Sequence, residues 1–273
     1  MQPTTDWTRE PIGIAGGGRV GQAIGRMLQQ NGEPVVCVAS RTPRHAKAAA
    51  VFIGPQVEPV SYAEMSSRAS RLLISVPDDA LEDVAGLLRA ESGVALHTCG
   101  AAGSGALQAL RSRGVSCGTL HPLQTIPSAA GGAASLNGIA FAVSGDDAAV
   151  AWAAQIAAFA KGTVLRIPDA LRPLYHAAAV MASNYVIALL SAAQTLMEEA
   201  GVAPRDALNA LAPIVRASVG NALDRGPTEA LTGPIQRGDI RTVAAHLSAL
   251  HSAPIPVQVL YRAAARQTLQ IAR

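Results

Sequence analysis

The sequence predicts an α/β fold: a doubly wound, mostly parallel sheet over residues 10–167, followed by an all-helical domain over residues 168–273. Three observations predict it. Short apolar runs of strand length alternate with helix-length stretches from Pro11 to Ile167, the pattern of strands joined by crossover helices. A glycine-rich turn, Gly16-Gly17-Gly18-Arg19-Val20-Gly21, directly follows the first apolar run. Beyond Pro168 no strand-period segment occurs, and long Ala- and Leu-rich helical stretches take over, which puts the domain boundary near residues 166–170.

Residues 1–9 read as a polar tail. Ile12, Ile14 and Ala15 form the first strand, and Val20 to Gln30 the first helix, stopped by Asn31-Gly32. Val35 to Ala39 is an unbroken apolar run, which suits a strand covered on both faces. A helix follows over Arg44 to Ala50. Val57 to Val60 is a short edge strand, because Pro59 cannot donate to a central ladder. Further strands fall at Leu72 to Val76, Val94 to Thr98, Gly118 to His121 and Ile139 to Val143, with a last one ending near Ile167. Helical stretches lie at Asp79 to Ala90 and Ala106 to Arg113. The second domain starts with one long, almost uncharged helix, Ala170 to Ala200, then helices near Pro204–Leu223, Thr242–Ser252 and Pro256–Ala272. A helix apolar on most sides must be buried, and a small helical domain has little room to bury one, so a homodimer with this helix in its interface is expected.

The chain has 273 residues, enough for two domains at about 150 residues each. Its hydrophobic share of 49% and charged share of 15% exclude a disordered chain. No window of about 20 residues reads as a membrane span, and the N-terminus lacks the apolar core of a signal peptide, so a cytoplasmic protein is expected. A net charge of +3 and nine aromatic residues argue against nucleic-acid binding, since both field and stacking platforms are weak. Cys37, Cys99 and Cys117 are widely spaced, form no metal or redox motif, and suit a reducing compartment. No metal site is expected.

The turn at Gly16, Gly17, Gly18, Arg19, Val20 and Gly21 satisfies G-x-G-x-x-G in the required strand–turn–helix context. The first glycine permits the turn, the second lets backbone approach a pyrophosphate, and the third lets helix pack on strand. Backbone N–H groups and the helix dipole then face the phosphates. At the end of the second strand, an NAD site would carry Asp or Glu. This chain has Ser40, Arg41 and Thr42, with Arg44 nearby, a set that accepts a 2′-phosphate where a carboxylate would repel it. NADP(H) is therefore the expected cofactor. The turns after later strands border the same crevice: Val76 and Pro77 with Asp78-Asp79, Thr98 and Cys99 with Gly100, and His121-Pro122. Asp79 reads chiefly as a helix cap and Cys99 as a small wall residue.

A hydride acceptor needs a proton or a hydrogen-bond donor beside the nicotinamide. Lysine is excluded in the second domain, because Lys47 and Lys161 are the two lysines of the chain and arginine does not donate a proton at neutral pH. The candidates are His97, His121, His176 and His246. His176 and Asn184 stand eight residues apart, on one face of a continuous helix, with Tyr175 and Ser183 beside them. They serve either a substrate or a helix–helix contact. His121 ends a strand at the crevice and either touches ligand or holds a neighbouring loop. His45 and His251 read as exposed. Arg237, Asp239, Thr242 and His246 form a second polar group, with Asp239 as an N-cap; it reads chiefly as a capped helix.

Together with HTCGA, LHPLQT, LYHAAAVMASNYVIAL and ALTGPIQRGDIRTVAAHL, these motifs make the chain resemble, over about residues 10–270, the bacterial Rossmann-like "NADP oxidoreductase, coenzyme deazaflavin-dependent-like" group. That group carries a C-terminal domain of unknown function, and sits near ketopantoate reductase, pyrroline-carboxylate reductase and 6-phosphogluconate dehydrogenase. The resemblance implies a Rossmann domain, a helical dimerising domain and NADPH bound in the cleft. Ketopantoate reductase carries a Lys followed at four and eight residues by Asn; His176, Val180 and Asn184 hold that spacing here, and Val180 departs from it. The leading expectation is an NADPH-dependent reductase of a small carbonyl or imino compound, with ketopantoate one candidate. His176 or His121 would be the proton donor and Asn184 would hold the reacting atom. The alternatives are a non-catalytic NADP(H)-binding sensor and hydride exchange between NADP and a deazaflavin.

Overall fold

A computed structural model describes residues 9–272, so the expected polar tail lies almost wholly outside the described residues. Contacts divide the chain into two compact units, one up to Val180 and one from Met181. The first holds β1 (Ile12–Ala15), α1 (Arg19–Gln30), β2 (Val35–Ala39), α2 (Pro43–Ile53), β3 (Glu58–Val60), α3 (Tyr62–Met65), β4 (Arg71–Ile74) and α4 (Leu81–Leu87). It continues through β5 (Val94–His97), α5 (Gln108–Arg111), β6 (Ser116–Pro122), α6 (Ala129–Ser135), β7 (Ala140–Gly145), α7 (Asp147–Phe159) and β8 (Thr163–Arg166). These strands form one sheet in the order β3-β2-β1-β4-β5-β6-β7-β8. Every pairing is parallel except β6 with β7. The expected edge strand is β3, which pairs with β2 alone, and Pro59 lies in it.

Alternation along each strand splits the core in two. Ile12, Ile14, Leu73, Leu96 and Leu120 pack with α1, α2 and α7 on one face. Ala15, Leu72, Ile74, Ala95 and Cys117 pack with α3, α4 and α5 on the other. Helices on both faces are what crossover connections between parallel strands produce. The sheet's register aligns Ala15 with Ile74, Ile74 with His97 and His97 with Thr119. The residues just beyond this row therefore share one edge.

The helical part differs from the sequence expectation. The predicted single helix over 170–200 is two, α8 (Arg172–Ala182) and α9 (Asn184–Glu199), because Ser183 leaves helical dihedrals at φ −123°, ψ −76°. The same run, Asp169–Glu199, is long and apolar enough to cross a membrane by length and composition, which the sequence reading did not expect. Ser183 breaks it in the middle, and Arg172 is buried among strand residues at its start. α8 counts with the first unit. The second unit holds α9, α10 (Pro204–Arg225), α11 (Pro227–Ala230), α12 (Ile240–Ala249) and α13 (Ile255–Ile271). Among its described residues there is no strand. Within the isolated chain α9 is not buried; Tyr185, Ile187 and Leu189 are exposed, as are Ile214 and Leu223 on α10.

Candidate active site

Gly16 opens the site at the end of β1. Its φ of +119° is open to glycine, and an added Cβ would strike the Ser75 carbonyl. A Cβ at Gly21 would strike the Gly16 carbonyl, so helix and turn close on each other only without side chains. At Gly17 a Cβ would come 2.9 Å from Ala49 Cβ on α2, whereas at Gly18 nothing lies within 4 Å. Gly18 is the N-cap of α1; no side chain caps the helix and its first turn holds no acidic residue. Arg19 Nη1 reaches across to donate to the Pro127 carbonyl at 3.1 Å. Val20 is half-buried and packs against the core.

Ser40 follows β2 and is half-buried, while Arg41 and Arg44 are exposed. Thr42 has a structural duty: its Oγ1 accepts from His45 N at 3.3 Å as the N-cap of α2. No carboxylate occurs from residue 40 to 57. An uncapped helix N-terminus behind a bare glycine turn, with a basic, carboxylate-free second loop, fits a phosphorylated dinucleotide.

Val76 and Pro77 follow β4; Thr98, Cys99 and Gly100 follow β5. Thr98 Oγ1 donates to Ser75 Oγ at 3.1 Å and ties these two strand ends together. Cys99 is buried, its Sγ accepting from Ala102 N at 3.3 Å, and burial pushes its pKa up, so it stays a thiol. Asp79 does not cap the following helix: the N-cap of α4 is Ala80, and Asp79 sits in the preceding turn, Asp78–Ala80.

His121 and His176 come together. Their rings meet edge to face with centroids 5.8 Å apart. A Cβ built on Gly100 would lie 2.5 Å from His176 Cδ2 and 2.8 Å from His121 Nε2, so both imidazoles lean over the same glycine. His121 Nδ1 is 2.8 Å from Tyr175 Oη. Burial, then the charges of Arg172 and His176, pushes the His121 pKa down to about 4. It is neutral at neutral pH.

α8 is pinned to the sheet by its first turn. Arg172 is wholly buried, and its Nη1 donates to Thr119 Oγ1 at 2.8 Å and its Nη2 to the Cys99 carbonyl at 3.0 Å. Asp169 Oδ2 accepts from Ser104 N at 2.9 Å and Ser104 Oγ at 2.8 Å. These bonds set Tyr175 and His176 one turn further on, above the end of β6. The sequence analysis did not single out Arg172 or Asp169, whose partners Thr119, Ser104 and Cys99 lie 53, 65 and 73 residues away along the chain.

His97 is not available as a donor. It is buried, with Nε2 bonded to the Gly103 carbonyl at 3.0 Å and Nδ1 accepting from Cys99 N at 3.2 Å. Both ring nitrogens hold the loop that carries Gly100. In the second unit, Asn184 is exposed at the start of α9, and its Oδ1 accepts from Ser183 Oγ at 2.9 Å. The eight-residue spacing to His176 crosses the break at Ser183, so the two residues stand on separate helices, α8 and α9. Asp239 is the N-cap of α12, accepting from Thr242 N at 3.0 Å. His246 Nδ1 lies 2.8 Å from Tyr261 Oη. No group of three or more His, Cys, Asp or Glu residues is placed to hold a metal among the described residues.

Residues 3–122 match a family described as a Rossmann-like domain, and residues 139–268 match the domain of unknown function DUF2520. The two matches follow one another along the chain, the Rossmann-like one first. No curated protein matches it. Among solved structures, protein TM1727 from Thermotoga maritima is 21% identical, with a TM-score of 0.76, covering 96% of this chain and 98% of its own. A reductive aminase from Aspergillus terreus, solved with NADPH and ethyl-5-oxohexanoate, is 18% identical with a TM-score of 0.70 over 96% and 94%. The Plasmodium falciparum pyrroline carboxylate reductase, solved with NADP bound, is 13% identical with a TM-score of 0.61 over 97% and 99%. At these identities the likeness is one of fold.

Proposed function

We propose that the protein is an NADPH-dependent reductase of a small carbonyl or imino compound. The observation that supports it best is the pair His121 and His176 over Gly100, at the same sheet edge as the glycine turn. NADPH, when bound, supplies a hydride to an unsaturated carbon. The first turn of α1 would hold the pyrophosphate, and Arg41 with Ser40 the 2′-phosphate. Val76, Pro77, Thr98 and Cys99 would wall the crevice. The imidazole pair would supply the proton that the reduced nitrogen or oxygen requires. The similar fold of a reductive aminase and of a pyrroline carboxylate reductase favours an imine over an alcohol-forming substrate. The working unit would be a homodimer, for the apolar residues of α9 and α10 have no cover within one chain.

The test is a fluorescence titration with NADPH and NADH, followed by NADPH oxidation with 1-pyrroline, 2-methyl-1-pyrroline and ketopantoate as probes. Saturable NADPH binding in preference to NADH, and oxidation with an imine probe, is the expected result. Tight NADPH binding with no oxidation by imines or oxo acids would instead favour a non-catalytic cofactor sensor.

A further inference from the structure

We propose that Tyr175 feeds the proton of the reduction through His121: the phenol O–H donates to Nδ1, and the imidazole releases the proton it carries on Nε2 into the space over Gly100. The inference rests on the reductase reading above and names the origin of its proton.

The geometry gives the relay its two ends. Nδ1 of His121 lies 2.8 Å from Tyr175 Oη, and among the described residues this is the hydrogen-bond partner the phenol has. The phenol O–H finds an acceptor in Nδ1 when that nitrogen carries no proton. Donation from the phenol uses that hydrogen and forces the imidazole proton onto Nε2. Nε2 is the atom that leans over Gly100, 2.8 Å from where a Cβ would stand. A side chain there would fill the space the proton must enter.

Electrostatics argue against the simpler route, in which His121 acts as an imidazolium. Burial holds its pKa near 4, and the neighbouring Arg172 and His176 push the same way; Asp78 opposes them without prevailing. A neutral imidazole can still donate from one nitrogen if it is recharged at the other. In the reduction, hydride adds to the carbon of the C=N or C=O bond, and the bond's electron pair takes the proton from Nε2. The Nε2–H bond breaks, an Nδ1–H bond forms, and the phenol O–H bond breaks to leave a phenolate that solvent reprotonates. Arg172 is placed to offset that charge. Its Cζ lies 5.9 Å from the Tyr175 ring centroid, it is wholly buried, and among the described residues no carboxylate stands within ion-pair distance of it. Burial holds the phenol pKa above its ordinary value, and the guanidinium offsets part of that rise.

Tyr175 thus acts through another group as a positioning and relay residue. The test is long-range ¹H–¹⁵N NMR of the ¹⁵N-histidine-labelled full chain, with and without NADP, in wild type and Tyr175→Phe. A single Nε2–H tautomer of His121 in the wild type, lost to a mixture in the variant, is expected. An Nδ1–H tautomer in the wild type would overturn the relay. With 2-methyl-1-pyrroline, Tyr175→Phe should lower kcat about 10-fold or more with KM and NADPH affinity within twofold, and a solvent isotope effect from two protons should become one from one. Unchanged kcat in that variant would also overturn it. The tautomer is read without turnover, so a wild type that oxidises no NADPH counts against the reductase reading, while a wrong tautomer counts against the relay.

Discussion

At Gly100 a missing side chain lets two imidazoles share one patch of sheet edge, and neighbouring residues divide support from chemistry. His97 belongs to the support: burial pushes its pKa down to about 4. The unfolded chain takes up a proton on this residue near pH 6.5, whereas the folded chain refuses it until about pH 4. Stability from this group is therefore full above pH 6.5 and drains as pH falls through that window, by a total of about 3 kcal/mol. Thermal melting between pH 7.5 and 4.5 should show the loss, and His97→Gln should flatten its slope. In the proposed reduction His176 stands beside the reacting atoms, and His176→Ala should lower kcat for an imine probe by about 100-fold. Unchanged turnover would remove that residue from the mechanism. For the cofactor, Arg41→Ala should weaken NADPH far more than NADH in a fluorescence titration; equal weakening would contradict a 2′-phosphate at Arg41.

Elements inherit their placement from a few polar anchors. α8 presents Tyr175 and His176 because Asp169 and Arg172 fasten its start to β6, to the Cys99 carbonyl beyond β5 and to Ser104. Asp169→Ala would leave the Ser104 amide and hydroxyl without their acceptor, a cost of about 1–3 kcal/mol for a buried donor. For a unit of this size that amounts to a Tm lowered by about 2–10 °C. Calorimetry should show it, and kcat should fall as well, because the imidazole pair loses its registration. An unaltered Tm would mean that Arg172 alone holds the helix.

At the scale of the molecule the helical half carries large apolar side chains in the open. Leu174, Ile187, Ile214 and Leu223 are 72%, 66%, 64% and 81% exposed. Such surface is rarely left to water in a monomer. Light scattering on the purified protein should give the mass of a dimer, 2 × 27.9 kDa, and Ile187→Asp should shift it toward one chain. A wild type of monomer mass would mean that something other than a second copy covers these helices.

Much of the first unit was legible from local pattern. The strands from Ile12 to Arg166, the edge position of Pro59 and the glycine turn follow from apolar runs, proline chemistry and φ > 0, all properties of neighbouring residues. Less was legible in the helical half, where composition proposed one helix and could not register that Ser183 would leave helical geometry. Of the candidate site, His121 was placed by its strand end and His176 by its helix, but their meeting was not readable. The sequence by itself determined a parallel sheet with a bare glycine turn and a carboxylate-free basic loop. Only the tertiary structure decided which histidines are tied up and which face open space. That depends on buried hydrogen bonds spanning up to 73 residues of sequence, such as Arg172 to Cys99, and no short-range periodicity encodes them.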